Sequence, residues 1–276
     1  MSSRLAEALS LRYEPLALYY ARQEPAEARS FRKKSGVKGG WGCAMFLLGQ
    51  ALGGQTVSFS QDTCRCPGAA AGLGLTEANY DNFPGGVEAF CYFLSSGNEN
   101  REEGLAVARK LKEGGAGQEM LEDYLKGEGF KKNPDLAMDY MGHIPQLPPP
   151  KGPYVILEPL SRAWAQSPEV VIMLGDAVQI SALTYQANFA RKGLDNVLIP
   201  FCSGCQSIGV LPLFEQTRES PKAVLGLVDI SSRLYLRKIL GRDLLSFAMP
   251  RTLFQEMEAN AGESFLARGA WRRLNG

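Results

Sequence analysis

The fold is decided by a stretch in the second half of the chain, SPEVVIMLGDAVQ at residues 167–179. Its centre, Val170–Leu174, is a continuous apolar run, which is typical of a strand that is buried on both faces. Gly175 and Asp176 then turn the chain into a helix that we expect from about Ala177 to Arg191. A strand that leads directly into a helix is the repeating unit of sheets with parallel neighbours and right-handed crossovers.

Strands and helices alternate on both sides of this unit. The other segments whose apolar pattern predicts strands are Pro15–Tyr20, Gln55–Ser60, Tyr154–Leu157, Val197–Phe201, Val224–Val228 and Leu245–Ala248. The segments that predict helices are Ser3–Leu9, Cys43–Leu52, Gly86–Leu94, Glu102–Lys112, Gln118–Lys126, Arg251–Ala259 and Ser264–Leu274. We therefore expect an α/β to α+β fold with two lobes in one compact unit. The second lobe should be a mainly parallel sheet with flanking helices.

The length of 276 residues suits one large domain that buries a sizeable core without disulfides or a structural metal. A stiff, proline-rich connector is predicted at residues 145–153, where the sequence reads PQLPPPKGP. It divides residues 1–276, taken as a single domain, into possible lobes 1–144 and 154–276.

The composition excludes several classes of function. Lys and Arg total 30 against 29 Asp and Glu, so the net charge of +1 gives no field that would recruit nucleic acid or an anionic membrane. No apolar run approaches the roughly 18 residues needed to span a bilayer, and the charged start does not resemble a signal peptide. We therefore expect a cytoplasmic protein. The single histidine, His143, excludes His-rich metal sites, and no dinucleotide fingerprint, phosphate loop or nucleophile elbow is present.

The six cysteines are the remaining concentration of chemistry. In a cytoplasmic protein, cysteines are expected to be thiols, metal ligands or redox groups. Cys202 and Cys205 have the two-residue spacing that lets both sulfurs face one centre, and Cys64 and Cys66 stand in the loop CRCPG at residues 64–68. A proline after a ligating cysteine also occurs in bacterial ferredoxins.

Two further cysteines differ in their surroundings. Cys43 stands where a helix begins and follows a basic stretch, Arg29–Lys38, so that both the helix dipole and the nearby charges would stabilise its thiolate. Cys91 is flanked by large apolar residues and is expected to be a buried core residue.

These patterns predict a cysteine-ligated metal site. We expect Cys43, Cys66, Cys202 and Cys205 to converge, with Cys64 as a competing fifth ligand. An iron–sulfur cluster with a redox or electron-transfer role, such as a 4Fe–4S centre, is the first interpretation, with zinc as another. The alternative is a metal-free thiol redox switch or a protein that binds a small anionic metabolite near Cys43. The expected partner is therefore either another redox protein or a small molecule, and the sequence does not identify it. The sequence assigns no reaction and no catalytic residue.

The chain also resembles a known family over residues from about Leu11 to Glu258. The best-matching segments are YVILEP at residues 154–159 and the stretch 167–179, together with Cys43 at a helix start and the Cys66-Pro67 pair. They are similar to the domain of unknown function 169 family, also called uncharacterised ArCR, whose name assigns no activity. The resemblance places Asp229 where family members often have a cysteine. Compared with the family pattern, Cys64 is an additional cysteine, and so is either Cys202 or Cys205. The resemblance therefore implies that the set of metal ligands is rearranged in this chain.

Overall fold

A seven-stranded mixed sheet forms the centre of the computed structural model, which describes residues 3–31, 43–64, 66–77 and 80–275. The order of the strands across the sheet is β2-β3-β1-β4-β7-β6-β5. Their bounds are β1 Leu16–Ala21, β2 Val57–Phe59, β3 Tyr154–Pro159, β4 Val170–Gly175, β5 Val197–Leu198, β6 Ala223–Gly226 and β7 Leu245–Pro250.

Helices connect and cover these strands. Their bounds are α1 Arg4–Ala8, α2 Ala44–Leu52, α3 Pro67–Gly72, α4 Gly86–Phe93, α5 Glu102–Glu113, α6 Gln118–Lys126, α7 Pro134–Gly142, α8 Leu160–Ala163, α9 Ala177–Asn188, α10 Gly204–Ile208, α11 Val210–Glu215, α12 Ile230–Tyr235, α13 Arg237–Leu240, α14 Arg251–Asn260 and α15 Gly269–Asn275. Within the described ranges, no helix is both long enough and apolar enough to cross a membrane.

The expected α/β character is confirmed, but the expectation of a mainly parallel second lobe is wrong. In the described part of the chain, β5 and β6 are the one parallel pair of strands, and the sheet is otherwise antiparallel. The pairings nevertheless give β3, β4, β5 and β6 one common direction, as strand–helix alternation predicts. Antiparallel neighbours arise because β1 lies between β3 and β4, and β7 lies between β4 and β6. Each interposed strand runs the opposite way.

Alternate residues of the strands supply two separate hydrophobic cores, one on each face of the sheet. In β4, Val170, Ile172 and Leu174 pack on one face with residues of α2, α3 and α10. Val171 and Met173 pack on the other face with residues of α1, α9 and α14. The continuous apolar run of β4 is therefore explained by burial on both faces.

The chain divides into two compact units at points that differ from the expected lobes 1–144 and 154–276. One unit comprises Met1–Thr76 and Gln146–Gly276, and the other comprises Glu77–Pro145. The first unit contains the whole sheet, because β1 pairs with β3 and β4 and β2 pairs with β3. The second unit contains α4 to α7, and its aromatic side chains pack together, with Tyr80 stacked on Phe90 and Phe83 edge-on to Phe90. The predicted connector, residues 145–153, begins where the chain returns to the first unit.

Candidate cysteine site

Three of the predicted cysteines stand at the starts of helices. Cys43 and Cys66 are the N-caps of α2 and α3, both with the extended backbone that an N-cap requires. Pro67 follows Cys66 as the first helical residue, where its fixed φ suits the helix and no amide hydrogen is lost. Cys205 is the second residue of α10, which a capping box formed by Ser203 and Gln206 initiates.

The thiol of Cys205 is enclosed between α3 and the start of its own helix. Its sulfur lies 3.4 Å from the carbonyl oxygen of Gly68, to which it donates, and 3.1 Å from the hydroxyl oxygen of Ser203. A Cβ atom at Gly72 would lie only 2.8 Å from this sulfur. The absence of a side chain at Gly72 is therefore what allows α3 to approach Cys205 so closely.

A second glycine brings α10 against the starts of α2 and α12. A Cβ atom at Gly204 would lie 2.8 Å from the sulfur of Met45 and would collide with the hydroxyl of Ser232. The amide of Gly204 donates to that hydroxyl at 3.2 Å, and the amide of Ser232 donates to Oδ2 of Asp229 at 3.0 Å. Asp229, the N-cap of α12, is thereby placed beside the start of α10.

Burial and neighbouring charges raise the pKa values of the buried thiols. Burial raises the pKa of Cys205 well above its ordinary value, and negative charge on Cys66, Cys43 and Asp229 raises it further, whereas the hydroxyl of Ser203 lowers it. Burial likewise raises the pKa of Cys64 to about 12, with smaller contributions from Cys66 and Cys43. The same two cysteines, Cys43 and Cys66, thus act on two different buried thiols.

Cys202 precedes α10 in the chain. It is buried, and burial followed by the charge of Asp229 raises its pKa to about 12. Cys91 lies in the other compact unit, buried within α4, as its apolar neighbours predict. All six cysteines are among the described residues, and no disulfide joins any of them.

The basic residues near these cysteines in the sequence lie partly outside the described residues. Residues 32–38 of the basic stretch, and Arg65, lie outside the described residues. Arg233 donates from Nη1 to the carbonyl oxygens of Leu227 and Leu244, at 3.2 and 3.0 Å. It therefore fixes the turn before Asp229, in which Leu227 has the left-handed φ of 59° that is unusual for a leucine.

A family model described as uncharacterised ArCR, a domain of unknown function, matches residues 4–260. The chain belongs to this family. The match includes all seven strands and all six cysteines of this ArCR chain. No curated protein and no solved structure matches it.

Among the described residues, no three His, Cys, Asp or Glu side chains form a group that could hold a metal ion. Four thiolates around a single zinc ion have sulfurs about 3.8 Å apart, given a Zn–S bond of about 2.3 Å. A cubane iron–sulfur cluster separates its cysteine sulfurs more widely, to about 6–7 Å.

Sequence reasoning missed Gly72 and Gly204 as the points of close helix contact, whereas the family resemblance had already drawn attention to Asp229. A local signal for Asp229 exists, because aspartate followed by ISSR is favourable at a helix N-cap. Nothing local distinguishes Gly72 or Gly204 from other glycines. His143 is exposed in the other unit, and its Nδ1 lies 2.8 Å from the carbonyl oxygen of Asp139, which fits a hydrogen-bonding role.

Proposed function

We propose that this ArCR protein binds an iron–sulfur cluster of the 4Fe–4S type and serves in redox or electron-transfer chemistry. Thiolates of Cys43, Cys66 and Cys205 would hold the cluster, and the sequence offers Cys64 and Cys202 for the fourth position. One observation carries the proposal. Cys64 and Cys205 are buried in the same hydrophobic core, and Cys43 and Cys66 pack against that core.

A group of thiols that repel one another when ionised is suited to a cation. Burial and the neighbouring negative charges keep the thiols of Cys64 and Cys205 protonated when no cation is present. A bound metal centre reverses the balance, because ligating thiols are deprotonated outright. The start of α2, a helix of nine residues, adds partial positive charge beside Cys43.

The burial of the thiols is compatible with a cluster. Cys205 and Cys64 belong to the hydrophobic core on one face of the sheet, and Cys43 and Cys66 pack against it. Such surroundings limit the access of solvent, which together with hydrogen bonds to sulfur sets the reduction potential of a cluster.

The alternative is a metal-free thiol switch or a site for a small anionic metabolite. The lack of a single-ion group among the described residues is the observation that favours it. In that case, neighbouring thiols such as Cys43 and Cys66 would be joined by a disulfide under oxidising conditions, and reduction would return them to thiols.

The test is anaerobic purification followed by reconstitution with ferrous iron and sulfide. We expect brown protein whose visible absorbance fades in air, with iron and sulfide in equal amounts. Cys43→Ala, Cys66→Ala and Cys205→Ala should each lose most of the bound iron. Cys91→Ala, in the other compact unit, is the matched control and should retain it.

Two results would contradict the proposal. One is colourless wild-type protein that holds no stoichiometric iron after reconstitution. The other is equal iron content in all four variants, which would mean that the iron is bound elsewhere. Colourless protein that forms a reversible disulfide among these cysteines would establish the thiol switch instead.

A further inference from the structure

We propose that a cavity in the helical unit Glu77–Pro145 binds a free amino acid through the hydroxyl of Tyr124, the guanidinium of Arg101 and the carboxylates of Glu88 and Glu103. The cavity has a volume of about 330 Å³, and every residue that lines it belongs to this unit. Such a volume is at the small end of the range for ligand pockets, so the occupant is a small metabolite. This function is separate from the proposed cluster, whose cysteines belong to the other unit.

The hydroxyl of Tyr124 is the part of the cavity that most requires a ligand. The residue is only 1% exposed, and its hydroxyl oxygen is buried without a hydrogen-bond partner among the described residues. This oxygen would lie 3.1 Å from a Cβ atom at Gly85, so the hydroxyl is directed at the glycine that forms this wall of the cavity. A buried hydroxyl without a partner has lost its hydration without compensation. A ligand oxygen that accepts its hydrogen supplies the compensation.

A network of hydrogen bonds holds a guanidinium group at the same cavity. The side chain of Arg101 lines the cavity and is only 15% exposed. Its Nη1 donates to Oδ1 of Asn98 at 3.0 Å, and its Nη2 lies 2.6 Å from a carboxylate oxygen of Glu88. Asn98 is fully buried, and its side-chain amide donates to the carbonyl oxygens of Ala89 and Tyr124, at 3.0 and 3.2 Å. The backbone of Tyr124 and the guanidinium are therefore held in place by one side chain.

Two helices begin at the cavity. Gly85 is the N-cap of α4, which has eight residues, and Arg101 is the N-cap of α5, which has twelve. The start of a helix carries partial positive charge and amide groups without partners inside the helix. Burial raises the pKa of Tyr124, so its hydroxyl stays protonated and can donate as well. These donors together favour an anionic group of the ligand, such as a carboxylate.

The carboxylates of Glu88 and Glu103 give the cavity a second kind of charge. Among the described residues that line it, these two carboxylates stand against the one guanidinium of Arg101. The side chain of Glu88 is 66% exposed and Glu103 is exposed, so both carboxylates lie towards solvent. A ligand with a carboxylate and an ammonium group matches both kinds of charge, whereas a purely anionic ligand is repelled by the two glutamates. Ala89 and Val107 add apolar groups that suit a small aliphatic side chain.

The test is isothermal titration calorimetry of the full-length, reduced and metal-free protein with free aliphatic L-amino acids, of which L-valine is the reference probe. We expect L-valine to bind with a Kd of about 1 mM or below. Isobutylamine lacks the carboxylate of valine, and 3-methylbutanoate lacks its ammonium group, but both keep its side chain. Each should bind at least about tenfold more weakly than L-valine.

Two variants locate the binding site. Tyr124→Phe removes the buried donor and should weaken the binding of L-valine at least about tenfold, without loss of stability. Glu103→Gln should weaken the binding of L-valine but not that of 3-methylbutanoate, which has no ammonium group. Glu102→Gln is the matched control, because Glu102 is also an exposed residue in the first turn of α5 but is not among the residues that line the cavity. It should bind L-valine as the wild type does.

Three results would overturn the inference. The first is that none of the aliphatic L-amino acids binds to the wild type. The second is that either analogue binds as tightly as L-valine, which would mean that one of the two charges is not recognised. The third is unchanged binding of L-valine by Tyr124→Phe or by Glu103→Gln, which would place the ligand outside this cavity.

Discussion

The contact between Gly72 and Cys205 predicts that Gly72→Ala destabilises the protein and disperses its thiols. Gly72 is the last residue of α3, and it faces the sulfur and the backbone of Cys205. A new methyl group there would have to occupy space that α10 already fills.

The expected magnitude follows from the distances. The Cβ atom would lie 2.8 Å from the sulfur of Cys205, about 0.6 Å short of the 3.4 Å at which ordinary contact begins. It would also lie 3.1 Å from the backbone carbon of Cys205 and from the backbone nitrogen of Gln206, neither of which can rotate away. Overpacking of this kind costs about 1–3 kcal/mol, whereas alanine gains about 0.5–1 kcal/mol over glycine in a helix. We expect a net loss of up to about 2.5 kcal/mol in the free energy of unfolding.

The assay is urea unfolding followed by circular dichroism, together with iron content after reconstitution. Gly142→Ala is the control, because Gly142 also ends a short helix that starts with proline, and its added Cβ would have nothing within 4 Å. This control should gain about 0.5–1 kcal/mol and bind iron normally. A Gly72→Ala variant that is as stable as Gly142→Ala, with normal iron content, would refute the close approach of α3 to Cys205.

Two further predictions concern buried groups outside the central contact. Burial raises the pKa of Cys64 and of Cys202 from 9.0 to about 12 in the folded protein. As the pH rises above 9, these thiols therefore ionise in the unfolded state before they ionise in the folded state, and metal-free protein should lose stability. The slope should approach about 1.4 kcal/mol per pH unit for each thiol, measured by urea unfolding between about pH 8 and 10, and a slope that Cys202→Ala leaves unchanged would contradict it. Tyr124→Phe should raise the thermal unfolding midpoint, corresponding to about 1 kcal/mol, because the hydroxyl of Tyr124 is buried and has no hydrogen-bond partner among the described residues. A lower midpoint would show that the hydroxyl does have a partner.

Several elements of the fold could be predicted from local sequence, because their causes are local. The apolar run of β4 and the turn at Gly175 and Asp176 predict a strand followed by a helix, and both are present, with α9 ending at Asn188. The helix after Cys43 was predicted to within one residue. By contrast, α3 was not predicted, although Pro67 just inside its start is a recognised signal.

The pairing of the strands was not predictable, because it depends on contacts between distant segments. No local pattern indicates that β1, at Leu16–Ala21, lies between two strands that follow it by more than 130 residues. The antiparallel character of the sheet results from this insertion and from the return of β7 between β4 and β6. Hydrophobic patterning specifies which residues are buried, but it does not specify which buried strand is the neighbour.

The sequence by itself determined which residues are candidates for a site, and the tertiary structure decided how the helices that carry them pack. Cysteine type, spacing and helix starts marked Cys43, Cys66 and Cys205 as candidates, because these are local properties of the chain. The packing of α10 against α3 and α2 depends on Gly72 and Gly204, where the lack of a side chain lets backbone segments from distant parts of the sequence come together. The place of Asp229 beside the start of α10 is likewise fixed by the packing of α10 against α12, which no pattern within either helix specifies.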